Sequence, residues 1–188
     1  MTTRILALVG SLRAGSYNRQ LAEAAVKHAP DGTDVEIFEG LAGVPLYNED
    51  LDRPGDVPGP AQALRDAVRR ADALLLVTPE YNGTIPAGLK NAIDWTSRPF
   101  REGAIVDKPL GVVGTSHGQY GGVWAHDDTR KSARIAGARV LDDIALSVPG
   151  SADRFADTHP ADDDEVAAAM PEIVAKLAAA WHDTTEVA

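Results

Sequence analysis

The chain alternates short, fully apolar runs with longer stretches of helical period. Ile5 to Val9 is an unbroken apolar run and reads as a buried strand. Leu21, Ala22, Ala25, Val26 and Ala29 follow at helical spacing. Val35 to Phe38 reads as a second strand. Residues from about Leu41 to Pro60 hold four prolines and few periodic positions, so they form an excursion. Ala61, Leu64, Val68 and Ala71 then mark a helix. Ala73 to Val77 is the clearest buried strand, with a short helix after it over about Ala87 to Trp95. Leu110 to Val113 predicts a fourth strand, Gly121 to about Ala136 a helix, and Val140 to Leu146 a fifth strand. Asp162 to Glu165 opens the last helix, placing acid where the helix dipole favours it; its apolar stripe is Val166, Met170, Ile173, Val174, Leu177 and Trp181.

Strands alternating with helices predict an α/β protein. The expected fold is a doubly wound, five-stranded parallel sheet with helices on both faces, of flavodoxin-like type. At 188 residues, one domain over 1–188 is expected. In such folds ligands sit beyond the carboxyl ends of the strands, where strand order reverses. The loops to read are therefore those after strands one, three and four.

The first is Gly10 to Asn18. Ser11, Ser16 and Asn18 offer side-chain donors, Arg13 offers a planar guanidinium, and a helix start adds free backbone amides. Together these suit a phosphate, although Ser16 or Asn18 also suits a helix cap. Gly10 and Gly15 have P-loop spacing, but Ser16 and Tyr17 stand where Lys and Ser/Thr are needed. The loop has no dinucleotide fingerprint either. After strand three come Pro79, Glu80, Tyr81, Asn82 and Gly83. The residues leave two readings open: backbone that borders a flat polar ring, or a tight Asn-Gly turn. After strand four, residues 114–122 carry four glycines, with Ser116, His117 and Gln119 as candidate contacts. One such loop is weak evidence, but three at one sheet end suit a flat ring with a phosphate tail.

Charge narrows the partners. Eighteen basic against 28 acidic residues give a net charge of -10, so no general attraction to nucleic acid or to anionic membranes is expected. There are no cysteines, which removes disulfide and thiolate chemistry. Ile5 to Val9 is too short for the core of a secretion signal, so a cytoplasmic, nearly complete chain is expected. His126, Asp127 and Asp128 read as a solvated helix face, not a metal site, since neighbours on a helix diverge. Trp95 is expected in the core or an interface, and Trp181 in the core.

The residues Gly10-Ser11-Leu12-Arg13-x-Gly15-Ser16-x-Asn18, Pro79-Glu80-Tyr81-Asn82-Gly83, Leu89 to Trp95, Ser97-Arg98 and Lys108-Pro109 carry a resemblance. They resemble the NAD(P)H-dependent FMN reductase family, flavodoxin-like proteins related to quinone, azo and chromate reductases. The resemblance runs from Arg4 to about Gly122. It implies an enzyme that takes hydride from NADPH or NADH onto FMN and passes electrons to a small acceptor: a flavin, a quinone, an azo or nitro compound, or a metal ion. It implies that Ser11, Arg13, Ser16 and Asn18 bind the FMN phosphate. Pro79, Glu80, Tyr81, Asn82 and Gly83 would border the ring largely through backbone, and Ser116 and Gly118 would close the other side. No side chain is required as a catalytic acid or base in the first half-reaction. The resemblance further implies a homodimer or homotetramer. The alternative is a flavodoxin-type electron carrier that binds FMN without oxidising NAD(P)H.

Overall fold

The computed structural model of the chain describes residues 2–185. Its strands are β1 (Thr3–Val9), β2 (Thr33–Ile37), β3 (Ala73–Val77), β4 (Pro109–Thr115), β5 (Arg139–Val140) and β6 (Ser147–Val148). The helices are α1 (Tyr17–Lys27), α2 (Gly59–Arg70), α3 (Ala87–Thr96), α4 (Val123–Ile135), the one-turn α5 (Ser151–Arg154) and α6 (Asp164–Thr185). Every strand pairing is parallel, in the order β2-β1-β3-β4-β5, with β6 also on β4. This is the expected doubly wound, flavodoxin-like sheet.

Strand pleating sorts the apolar run onto two faces. Ile5, Ala7, Val9, Ala73, Leu75 and Val77 face α1 and α6. Leu6, Leu8, Leu74, Leu76, Leu110 and Val112 face α2, α3 and Trp95. Both faces of the central strands are thus covered, which is why those strands read as continuous apolar runs without alternation.

The fifth strand departs from expectation. Val140 to Leu146 is not one strand: β5 pairs with the start of β4 and β6 with its end, and the chain between them turns out of the sheet. Asp142 and Asp143 cause this, since two adjacent carboxylates cannot line a buried ladder. They turn outward to Arg134 and Lys176 instead. The Arg130 guanidinium bridges the resulting gap, donating to the carbonyls of Val112 at 3.2 Å and Ile144 at 3.1 Å.

The excursion over 41–58 is pinned to α3. Trp95 Nε1 donates to the Pro45 carbonyl at 2.7 Å, and Asn91 Oδ1 accepts from Tyr47 N at 2.8 Å. Buried Arg65 grips Asp52 with two bonds, of 2.7 and 2.8 Å, and donates a third to the Trp95 carbonyl. The Arg65 guanidinium holds the Asp52 carboxyl below its ordinary range. Trp95 is therefore core. Trp181 departs from expectation: it is half-buried near the end of α6, with the Lys108 ammonium over its ring at 5.3 Å. Among the described residues no helix is long and apolar enough to cross a membrane.

Candidate functional site

Strand order reverses between β1 and β3, and the loops leaving β1, β3 and β4 meet beyond their carboxyl ends. They enclose a groove of about 210 Å³. Its first wall is Ser11, Arg13, Ser16, Tyr17 and Asn18; its second is Pro79, Glu80 and Tyr81; its third is Thr115 to Gly118, with Ser151.

On the first wall, Ser16 caps α1: its Oγ accepts from Arg19 N at 3.3 Å and its own hydrogen stays available to the groove. Among the described residues, none accepts from the amide N–H groups of Leu12 to Ser16. Arg13 lies 5.7 Å over the Tyr17 ring and donates to the Ala14 carbonyl at 3.1 Å. Among the described residues it is the one lysine or arginine on the groove. A guanidinium, a hydroxyl and a row of unpaired amides at a helix start fit a phosphate dianion.

Asn18 is used differently. Its side chain is buried and makes two bonds to one residue: Nδ2 donates to the Thr115 carbonyl at 2.9 Å, and Oδ1 accepts from Thr115 N at 3.0 Å. Through these two bonds Asn18 ties the first loop to the third wall; its side chain also lines the groove, where the amide has a second N–H to offer.

The second loop divides between its two sequence readings. Pro79, Glu80 and Tyr81 line the groove. Asn82 and Gly83 do not; they form the tip of a tight turn closed by two 3.2 Å bonds between Tyr81 and Thr84. Both have positive φ, 52° and 75°, as a two-residue hairpin turn demands.

On the third wall, Ser116 and Gly118 line the groove beside His117; Gln119 does not. This loop is stitched to the chain leaving β6. Ser116 N donates to the Val148 carbonyl at 3.2 Å, and Ser151 N to the Ser116 carbonyl at 3.0 Å. Sequence reasoning missed Ser151. A signal existed in Val148-Pro149-Gly150-Ser151, an apolar residue with a glycine and a polar residue soon after it, as in the loops after β1 and β4. It was hidden because the fifth strand was expected to end at Leu146.

His126 also overturns its sequence reading. Asp127 points to solvent, but His126 is fully buried behind the second wall. Its Nε2 lies 3.3 Å from the Thr78 carbonyl and its Nδ1 2.8 Å from Ser147 Oγ. A carbonyl only accepts, so Nε2 carries the proton, and Nδ1 accepts from the serine hydroxyl. Burial pushes the imidazole down to about 4, partly offset by the Thr78 carbonyl, and Arg130 lowers it further.

Comparison with known proteins identifies the family of the chain. The sequence profile of a family described as NADPH-dependent FMN reductase matches residues 3–153. A quinone reductase of Pseudomonas putida KT2440 is 39% identical over 159 residues, covering 85% of this chain and 84% of that protein. A 2-hydroxy-1,4-benzoquinone reductase of a Burkholderia species is 42% identical over 130 residues, covering 69% of each chain. Among solved structures, the flavoenzyme NAD(P)H:(acceptor) oxidoreductase FerB from Paracoccus denitrificans superposes with a TM-score of 0.85. It is 28% identical, and the match covers 97% of this chain and 98% of FerB.

The buried imidazole predicts a pH dependence of stability. The unfolded chain takes up this proton near 6.5, whereas the folded protein resists it down to about 4. The contribution is complete above the higher value and is lost as pH falls through the window between them. A loss on the order of 3 kcal/mol is expected across it. Denaturant midpoints measured from pH 7 to pH 4 should decline in the native protein and decline less in His126→Gln. Equal slopes would mean that the ring is not held neutral.

Proposed function

The chain belongs to the NADPH-dependent FMN reductase family, and from that premise we propose what its site residues do. The protein is an oxidoreductase that uses FMN with NAD(P)H as the electron donor. When bound, FMN would supply the redox chemistry, hydride transfer from a nicotinamide and electron transfer to a second substrate. The polypeptide holds it, orients it and controls access.

The observation that carries the assignment of roles is the row of unpaired amides over Leu12 to Ser16 beside Arg13. In our reading, Arg13, Ser11, Ser16 and these amides hold the phosphate. Pro79 to Tyr81 border the ring, largely through backbone, while Asn82 and Gly83 shape the turn that presents them. Ser116 and Gly118 close the opposite wall, joined by Thr115 and Ser151. Asn18 serves the site by fixing the distance between the first and third walls. The second substrate in this reading is a small molecule. The names of the relatives favour a quinone over a flavin, an azo or nitro compound, or a metal ion. A single unit over 1–188, working in the cytoplasm where NAD(P)H is available, completes the proposal.

The decisive experiment adds NADPH without air to the purified protein reconstituted with FMN. Bleaching of the flavin absorbance is expected. Bound flavin that stays oxidised would assign the protein to the electron carriers instead.

Arg13→Ala separates the two ends of the site. It should weaken FMN by roughly tenfold to a hundredfold, the value of one charge-assisted bond. Riboflavin, which has no phosphate, should be nearly unaffected. Equal losses for both ligands would place Arg13 away from the phosphate.

We also propose a homodimer or homotetramer. A hollow of about 610 Å³ lies between α3 and α4, with Ile93 in its floor. Phe100 and Ile135, 71% and 75% exposed, stand at its border. Exposed apolar residues around a hollow mark an association surface. Light scattering at micromolar protein should give at least twice the 19.8 kDa chain mass; a monomer would refute the proposal.

A further inference from the structure

Glu80 lines the groove with its carboxylate turned away, toward helix α4. That carboxylate accepts from Ala125 N, in the first turn of α4, at 3.3 Å. Beyond the turn, Thr84 Oγ1 donates to Asp128 Oδ2 at 2.5 Å. Before it, the Thr78 carbonyl accepts from His126 Nε2 at 3.3 Å. The segment from Thr78 to Thr84 is thus held at both ends and in the middle by one helix, through residues 125, 126 and 128. The Thr84 bond is exposed and the Glu80 bond half-buried. The His126 bond is buried, and the surrounding backbone leaves room for the ring. A Cβ on Gly114 would lie 2.6 Å from Nε2 and 2.0 Å from the Thr78 carbonyl oxygen, so β4 tolerates only glycine there.

Thr78 is the point where the sheet releases the loop. Its N–H makes the last ladder bond, to the Val113 carbonyl at 2.9 Å, and Pro79 then has no N–H to offer. The orientation of the Thr78 peptide therefore sets the direction in which Pro79, Glu80 and Tyr81 leave the sheet. His126 fixes that peptide from behind, and Ser147 Oγ fixes His126 from the far side at 2.8 Å.

We propose that His126 is a positioning residue for the flavin site: through its Nε2 bond to the Thr78 carbonyl, it sets the pose of Pro79 to Tyr81 against the ring. The inference rests on the reading that those residues border the ring, and it goes beyond that reading by placing the control in α4. It makes His126 part of the site without contact with the flavin. It also predicts which side chain replaces it. Glutamine carries an N–H donor at the position of Nε2; asparagine carries one only at the position of Nδ1.

The test uses full-length protein reconstituted with FMN and compares native protein, His126→Gln, His126→Asn, Ser147→Ala and Tyr81→Ala. Dissociation constants for FMN and riboflavin, the visible spectrum of the bound flavin and the thermal midpoint are measured for each. His126→Asn should weaken both ligands about tenfold, alike, and shift the flavin band, because the ring side and not the phosphate side is disturbed. His126→Gln should recover to within about threefold of the native affinity and restore the native band. Ser147→Ala, a surface-side change that keeps the imidazole, should move the spectrum in the same direction by less, and it serves if His126→Asn does not fold. If His126→Asn and Ser147→Ala lower the thermal midpoint alone, with native flavin affinity and spectrum, His126 is only a core residue and the proposal is overturned. Tyr81→Ala distinguishes the two levels of failure. If it perturbs the flavin and the His126 and Ser147 variants do not, only the positioning role falls. If none of the four variants perturbs bound flavin, the loop does not border the ring, and both readings fall together.

Discussion

The paired hydrogen bonds between the Asn18 amide and the Thr115 backbone set the frame for the rest of the groove. A parallel sheet delivers its strand ends to one edge but does not fix how far apart the loops that leave them stand. Asn18 does so for the first and last of them. It sits in the first turn of α1, so it carries with it the cap at Ser16 and the amides before it. Thr115 ends β4, so it carries Ser116 to Gly118. Both groups are buried, and leaving either backbone partner unsatisfied would cost about 1–3 kcal/mol. One side chain with a donor and an acceptor side by side satisfies both.

Charge placement around the first loop follows the same economy of partners. The chain is strongly acidic, yet it must receive an anion. Arg19, in the first turn of α1, is held by Glu23 and by both oxygens of Glu39. Among the described residues, Arg13 has no carboxylate partner; it rests on the Tyr17 ring and a neighbouring carbonyl. An arginine already paired with a carboxylate would have to exchange one anion for another, with little net gain. Arg13 keeps most of its donors free, and the helix start adds amides that need no counter-charge.

The second wall is built on a different principle. Its groove-lining segment, Pro79 to Tyr81, is short, contains a proline and ends in a two-residue turn, so it has little packing of its own. Its position comes from α4, through the contacts of Glu80, Thr78 and Thr84. The same helix bears Arg130, whose guanidinium fills the break in the fifth strand position. α4 thus closes the sheet on one side and supports the groove on the other, and a change in its first turn reaches the site without touching a ligand.

Period and composition were enough to identify β1, β3, β4, the helices between them and the three loops that hold the site, because apolar strands covered on both faces leave a run that little else produces. The residues of the first and second loops were also legible, since glycine, proline and polar residues interrupt those runs at fixed offsets. What each side chain bonds to was not. That Asn18 also ties two loops together is invisible until Thr115, 97 positions away, is brought beside it. His126 looks solvated because both residues after it are acidic; its burial depends on space left by Gly114 on another element. Val140 to Leu146 looks like a strand because its ends are apolar, but two acids and a distant arginine divide it. Local pattern reports which positions avoid water, a property each residue carries alone. Hydrogen-bond partners and the room for a side chain belong to pairs of residues far apart in the chain, and only the tertiary structure decided them.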